Sequence, residues 1–298
     1  MSAYPSEIIG ESTVDGVKTV RIRVPEFFSV RQIFDCGQCF RFDPAGDPDD
    51  WSYVRGVAFG RSVCFRQNGP DEMVIEGSGI SEYETVWKRF LSLDTDYDAI
   101  RIDIRSRFPK ESVMDEAMRF GSGIRILRQD PFETLISFII SQNNNIPRIK
   151  KLVNALCVRA GKRISRDSFS FPGPEEILSL GTEGLRELKT GFRAGYIYDA
   201  AEKIASGELD LGDVEAAEST RKASEMLCTV KGVGPKVAAC TLLFGFGRLD
   251  AFPVDVWIRR SFERHFGGSL DIGSLGESAG LAQQYLFYYE RYNRDGDK

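Results

Sequence analysis

The sequence lacks the features that define several classes of protein. No apolar run approaches the roughly 20 residues of a membrane span, which argues against a membrane protein. The first residues contain neither a basic region nor an apolar core, so we expect no secretion signal. The six cysteines are scattered along the chain, and we expect them to be reduced inside a cell.

Residues that bind metals are also scarce. His265 is the only histidine. Cys36 and Cys39 have CxxC spacing, but no second cysteine pair follows at the distance that a zinc site requires. We therefore expect no metal site and no cofactor.

Acidic residues are missing from one long segment. The formal net charge is −5, yet residues 134–166 include no carboxylate. The basic residues of this segment are Arg148, Lys150, Lys151, Arg159, Lys162, Arg163 and Arg166. A solvated helix face usually explains such a run, but a span without acids also fits a surface that faces phosphates.

The spacing of apolar residues predicts an α+β fold. Residues 17–78 alternate with the period of strands, which indicates an antiparallel sheet, and later segments have the period of helices. The predicted helices are 83–93, 97–108, 112–120, 133–141, 147–160, 174–180, 182–189, 193–205, 216–228 and 280–292. We expect an N-terminal sheet-containing domain at 1–114 and a mostly helical domain at 115–298.

Residues from about 222 to 246 predict two helices joined by a tight hairpin. Gly232, Val233 and Gly234 form the hairpin, and Pro235 suits the first turn of the second helix. Free backbone N–H groups at a helix N-terminus favour a phosphate. This segment therefore predicts a phosphate-binding element.

Two charged residues in this part of the chain invite a chemical interpretation. Lys236 falls in the first helical turn, where the helix macrodipole disfavours a cation. Asp255 lies nineteen residues later, directly before a predicted third helix. The structural alternatives are a surface lysine and a helix N-cap, and a cap does not exclude a second role.

These residues carry a resemblance. Lys-Gly-Val-Gly-Pro-Lys at 231–236, followed by Pro-Val-Asp at 253–255, resembles the helix-hairpin-helix/Gly-Pro-Asp superfamily of DNA glycosylases. Other motifs resemble its 8-oxoguanine DNA glycosylase family: Gly-Gln-Cys-Phe-Arg at 37–41, Asn-Asn-Asn-Ile-Pro-Arg at 143–148, Gly-Phe-Arg-Ala-Gly-Tyr at 191–196 and Gln-Gln-Tyr-Leu-Phe at 283–287. No four-cysteine iron–sulfur loop follows the aspartate, which separates the chain from the endonuclease III branch.

The resemblance implies excision of a base followed by strand cleavage. The neutral amine of Lys236 attacks C1′ of a flipped nucleotide, expels the base and forms a Schiff base, and β-elimination then nicks the strand. Asp255 stabilises the cationic sugar.

The resemblance also implies a slot that holds the expelled base. The carbonyl of Gly37 accepts the N7–H that 8-oxoguanine has and guanine lacks. Cys240 and Phe287 form the two faces of the slot, and Gln283 bonds the Watson–Crick edge.

The DNA contacts follow from the same resemblance. Asn143, Arg148 and Arg193 read the unpaired cytosine, and Phe192 fills the gap in the base stack. The hairpin residues Gly232, Val233 and Gly234 bind a phosphate. Two positions depart from the better-known members, which carry tyrosine where this chain has Phe192 and histidine where it has Trp257.

We therefore predict a monomeric 8-oxoguanine glycosylase and AP lyase that acts on duplex DNA opposite cytosine, with no membrane partner. We expect it in the nucleoid-containing cytoplasm of a prokaryote or in the nucleus of a eukaryote. One alternative is a glycosylase for another damaged base, such as an alkylated purine. A second is a non-catalytic helix-hairpin-helix DNA-binding module, which would need neither Lys236 nor Asp255.

Overall fold

The computed structural model describes residues 6–293 and confirms the α+β architecture. A six-stranded antiparallel sheet has the order β1-β2-β6-β5-β4-β3. The strands are β1 (Glu7–Val14), β2 (Val17–Arg23), β3 (Phe42–Pro44), β4 (Tyr53–Ala58), β5 (Arg61–Gln67) and β6 (Glu72–Glu76). On β2, Val20 and Ile22 are fully buried and pair with β6, whereas Arg21 points outward to Glu72. This alternation is what the sequence predicted.

Helices form the rest of the chain. They are α1 (Val30–Asp35), α2 (Ile80–Glu82), α3 (Lys88–Phe90), α4 (Tyr97–Arg107), α5 (Val113–Phe120), α6 (Pro131–Ser141), α7 (Ile146–Ala160), α8 (Pro174–Glu187), α9 (Arg193–Ala205), α10 (Leu211–Ala216), α11 (Thr220–Leu227), α12 (Pro235–Phe244), α13 (Val256–His265) and α14 (Ala279–Tyr292). A π-helical turn, Tyr83–Trp87, joins α2 to α3, and a 3-10 turn, Gly273–Ser278, precedes α14.

Three elements of the structure differ from the sequence prediction. The sequence prediction missed β1, whose residues are mostly exposed on the edge of the sheet, and α1, which has only six residues. The predicted helix 216–228 begins too early, because α10 ends at Ala216 and α11 runs from Thr220 to Leu227. Ser219 lies between them and accepts a hydrogen bond from the Lys222 N–H, which starts the new helix.

The helix α6 positions the segment that holds Lys236. Its side chains Leu135, Ile136 and Ile139 are fully buried, in accord with the prediction of a helix that is apolar nearly all round. α6 packs against α12, where the rings of Phe138 and Phe244 stack with their centroids 5.5 Å apart. This packing fixes α12 at the centre of the helical core.

The buried residues form two clusters, one under the sheet and one among the helices. The helical cluster includes Tyr97 and Ile104 of α4, so it reaches residues before 115. The domain division at 114/115 stays a prediction. Within residues 6–293, no helix combines the length and the apolar character that crossing a membrane requires.

Candidate active site

The hairpin between α11 and α12 has the predicted geometry. Gly232 has φ +79, and a Cβ at this position would overlap the ring of Tyr196. Gly234 caps α12, and Pro235 occupies its first turn. The N–H of Val233 donates to the carbonyl of Val230 at 3.0 Å, so this amide is already used inside the hairpin.

Lys236 lies half-buried in the first turn of α12, one turn before Cys240. Its Nζ is 5.3 Å from the centroid of the Phe138 ring, close enough for a cation–π contact. Burial raises the pKa of the Cys240 thiol to about 11, although the nearby Lys236 opposes this effect. Cys240 is therefore a neutral, mostly apolar wall beside the amine.

Asp255 is the N-cap of α13. Its carboxylate accepts hydrogen bonds from the N–H groups of Trp257 at 3.0 Å and Ile258 at 2.9 Å. Burial raises the pKa of Asp255, while the Ile258 N–H and the nearby Lys236 partly offset that rise. The capping interpretation is therefore correct, and the carboxylate lines the same cleft as Lys236.

A cleft of about 1050 Å³ is lined by Lys236, Cys240 and Asp255. Gly37, Gln283 and Phe287 line it as well, although they come from a loop after α1 and from α14. The fold thus brings together the two predicted catalytic residues and the four predicted base-slot residues.

Gly37 and Phe287 lie against each other. Gly37 has φ +78, and a Cβ built on it would lie 3.3 Å from Cε1 of Phe287 and 3.4 Å from Cδ1 of Ile146. A side chain at position 37 would therefore enter the slot. The positive φ and the close approach of the ring both favour glycine here.

Gln283 shows an unusual state of its amide group. The side chain is 3% exposed, and within the described part of the chain its Oε1 has no hydrogen-bond partner. Leaving a buried polar atom without a partner costs about 1–3 kcal/mol.

The three asparagines at the corner between α6 and α7 have different contacts. Asn144 donates through Nδ2 to the Ile140 carbonyl at 3.2 Å, and Asn145 caps α7 by accepting from the Arg148 N–H at 3.0 Å. Asn143 is exposed, has φ +49 and lines the cleft. The capping alternative therefore holds for two of the asparagines, whereas Asn143 is exposed at the cleft, and Arg148 is exposed as well.

Arg193, which we predicted to read the unpaired cytosine, is buried and already forms hydrogen bonds within the protein. It is 5% exposed, and its guanidinium donates to the backbone carbonyls of Gln142 (Nε–O 2.9 Å), Thr190 and Asn143. Burial and the nearby Arg148 lower the pKa of Arg193. Arg193 thus braces the corner that carries Asn143.

Phe192, the predicted wedge, precedes Arg193 and is 54% exposed. The guanidinium of Arg193 lies 4.4 Å from the centroid of its ring. Trp257 lines the cleft at the start of α13, and its ring centroid is 5.0 Å from the Arg260 guanidinium carbon.

The sequence prediction missed the residues that hold the Gly37 loop. Gln38 is fully buried and donates through Nε2 to the carbonyls of Ile33 and Arg125, at 2.8 and 2.9 Å. Gln284 donates through Nε2 to the Cys36 carbonyl at 2.7 Å. The one available signal was the spacing of Gln284 and Phe287, which places them on the same face of α14.

Comparisons with known proteins identify two families that this chain matches. Residues 21–135 match the family described as 8-oxoguanine DNA glycosylase, N-terminal domain. Residues 136–272 match the family described as HhH-GPD superfamily base excision DNA repair protein. The first match includes Gly37, and the second includes Lys236, Cys240 and Asp255.

Two relatives and one solved structure illustrate the similarity. The N-glycosylase/DNA lyase of Saccharomyces cerevisiae is 41% identical over 169 residues, 52% of this chain and 45% of that protein, so the match spans less than half of the yeast relative. The N-glycosylase/DNA lyase OGG1 of Arabidopsis thaliana is 30% identical over 287 residues, 86% of this chain and 76% of that protein.

The solved structure is the Clostridium acetobutylicum 8-oxoguanine glycosylase/lyase, in complex with double-stranded DNA containing cytosine opposite 8-oxoguanine. It is 34% identical, has a TM-score of 0.86, and covers 99% of this chain and 100% of that chain. The chain therefore belongs to the 8-oxoguanine DNA glycosylase family, within the helix-hairpin-helix/Gly-Pro-Asp superfamily of base-excision repair proteins.

Proposed function

We propose that this protein excises 8-oxoguanine from duplex DNA opposite cytosine and then nicks the abasic strand. The observation that carries the proposal is that Lys236 and Asp255 line the same cleft as the slot between Gly37 and Phe287. A module that only binds DNA needs neither an amine nor a carboxylate in a cleft of this size.

The chemistry follows from the position of the amine. Nζ of Lys236 forms a bond to C1′ as the C1′–N9 bond breaks, and the base leaves with the electron pair and takes up a proton. Opening of the sugar gives a Schiff base. Loss of a C2′ proton then breaks the bond from C3′ to its phosphate oxygen. Asp255 stabilises the positive charge that develops on the sugar during the first step.

Recognition of the lesion is assigned to the base slot. Phe287 stacks on one face of the base, Cys240 closes the other, and the Gln283 amide bonds the Watson–Crick edge. The Gly37 carbonyl accepts the N7–H of 8-oxoguanine and repels the bare N7 of guanine. The unpartnered Oε1 of Gln283 supports this assignment.

The remaining contacts hold the DNA open. Asn143 and Arg148 offer exposed donors to the unpaired cytosine, and Phe192 enters the stack. Arg193 reads the cytosine only after it releases part of its bonding to the corner carbonyls. Phosphate binding falls to the backbone amides of Gly232 and Gly234 rather than to the N–H of Val233, which is bonded to the Val230 carbonyl. We propose that the protein acts as a monomer, in the nucleoid-containing cytoplasm or in the nucleus.

Borohydride trapping tests the proposal. The protein is incubated with a duplex that carries 8-oxoguanine opposite cytosine, and borohydride reduces any Schiff base to a stable adduct. We expect an adduct with the unaltered protein and with Lys231→Gln, an exposed lysine of the same hairpin, and none with Lys236→Gln. If the adduct still forms with Lys236→Gln, Lys236 is not the nucleophile. Excision of an alkylated purine but not of 8-oxoguanine would favour the alternative glycosylase.

A further inference from the structure

One face of α14 contacts the chain around Gly37 at three points. Gln284, Phe287 and Arg291 are spaced i, i+3 and i+7, so they share a face of the helix. Gln284 donates to the Cys36 carbonyl, Phe287 lies against Gly37, and Arg291 donates to the Asp35 carbonyl. The loop that carries the Gly37 carbonyl is therefore attached to the helix that carries the stacking ring.

Gln283 and Gln284 have different surroundings although they are neighbours. Both are buried, at 3% and 2% exposed. Successive residues of a helix point about 100° apart, so the two amides cannot share a target. Gln284 is bonded to the Cys36 carbonyl, whereas Gln283 has an unpartnered Oε1 and lines the cleft.

The other side of Gly37 is held as well. The Gln38 Oε1 accepts from the Leu127 N–H at 2.8 Å, and its backbone carbonyl accepts from Nε2 of Gln129 at 2.8 Å. The carbonyls of Cys36 and Gln38, on the two sides of Gly37, thus each accept a glutamine amide. From α14, Gln284 holds the Cys36 carbonyl next to Gly37, and Arg291 holds the Asp35 carbonyl one residue earlier.

We infer that Gln284 is a positioning residue that fixes the Gly37 carbonyl relative to the base slot and thereby sets the preference for 8-oxoguanine over guanine. The inference rests on the proposed function. The two bases differ at the slot by one hydrogen bond, whose strength falls steeply with distance and angle. A displacement of the loop therefore weakens lesion recognition without moving Lys236, which belongs to α12.

Binding to two duplexes tests the inference. In a Lys236→Gln background, which removes the chemistry, affinity is measured for 8-oxoguanine opposite cytosine and for guanine opposite cytosine. We expect Gln284→Met to weaken binding of the 8-oxoguanine duplex about tenfold, because the Cys36 carbonyl loses its donor. Binding of the guanine duplex should stay unchanged. The control is Tyr289→Phe. Tyr289 lies on another face of α14 and loses only its hydrogen bond to Glu116 of α5, so both affinities should stay unchanged.

A second readout uses Lys236 intact. Gln284→Met should slow excision of 8-oxoguanine but not nicking of a duplex with a preformed abasic site, since that step involves no base. If Gln284→Met does not fold, Gln284→Asn gives the same comparison, because the shorter asparagine side chain does not reach the Cys36 carbonyl. Equal loss for both duplexes, or no loss for either, would overturn the inference. If the protein with Gln284 intact shows no preference for the 8-oxoguanine duplex, the proposed function itself fails.

Discussion

Gly37→Ala tests whether the base slot depends on the absence of a side chain at this position. Gly37 has φ +78, a left-handed conformation that costs other residues about 1–2 kcal/mol. The new Cβ would lie 3.3 Å from Cε1 of Phe287, so the ring must move by a few tenths of an ångström. We expect a fall of a few degrees in the unfolding midpoint. Excision of 8-oxoguanine should fall on the order of ten- to hundredfold, because a small displacement of the ring misplaces the base.

Gly60→Ala is the matched control for this prediction. Gly60 has φ +70 in the turn between β4 and β5, and a Cβ there would have no atom within 4 Å. It should lose similar stability and keep full excision. The assay is single-turnover excision opposite cytosine, with thermal unfolding of each variant. Excision at the unaltered rate by Gly37→Ala, or an equal loss in Gly60→Ala, would refute the reasoning.

Two further predictions concern charged groups. Asp255→Asn keeps an oxygen that caps α13, so we expect nearly unchanged thermal stability but excision slower by on the order of a hundredfold, which single-turnover rates would check. Because burial raises the pKa of Asp255, the active carboxylate should be lost as the pH falls, at a higher pH than for an exposed aspartate. A pH–rate profile that stays level through this range would contradict that role. Arg193→Ala should reduce both the melting temperature and the preference for cytosine opposite the lesion, measured by excision opposite each base. Lower stability with an intact preference would leave Arg193 a purely structural role.

The architecture was accessible from the sequence where apolar spacing is regular. The alternation of β2 and the long helices α7 and α9 follow from burial on one face, and their residues show it directly. The edge strand β1 has few buried residues, and α1 is too short to show a period, so neither gave a signal.

The site was predictable at the level of residue types more than of contacts. The capping role of Asp255 follows from its place before a helix, and the resemblance named the residues that the structure places around the cleft. Their roles in catalysis and DNA binding stay predictions. The bracing role of Arg193 and the bond from Gln284 to Cys36 depend on how distant segments pack, which local patterns do not encode.

The bond between Gln284 and the Cys36 carbonyl joins residues 248 positions apart. During synthesis, chain segments fold in the order in which they emerge, and α14 is the last helix among the described residues to leave the ribosome. The hairpin with Lys236 is complete before it. A growing chain therefore contains Lys236 before it contains Gln284, so the Gly37 loop can gain its bond to α14 only after α12 has been synthesised.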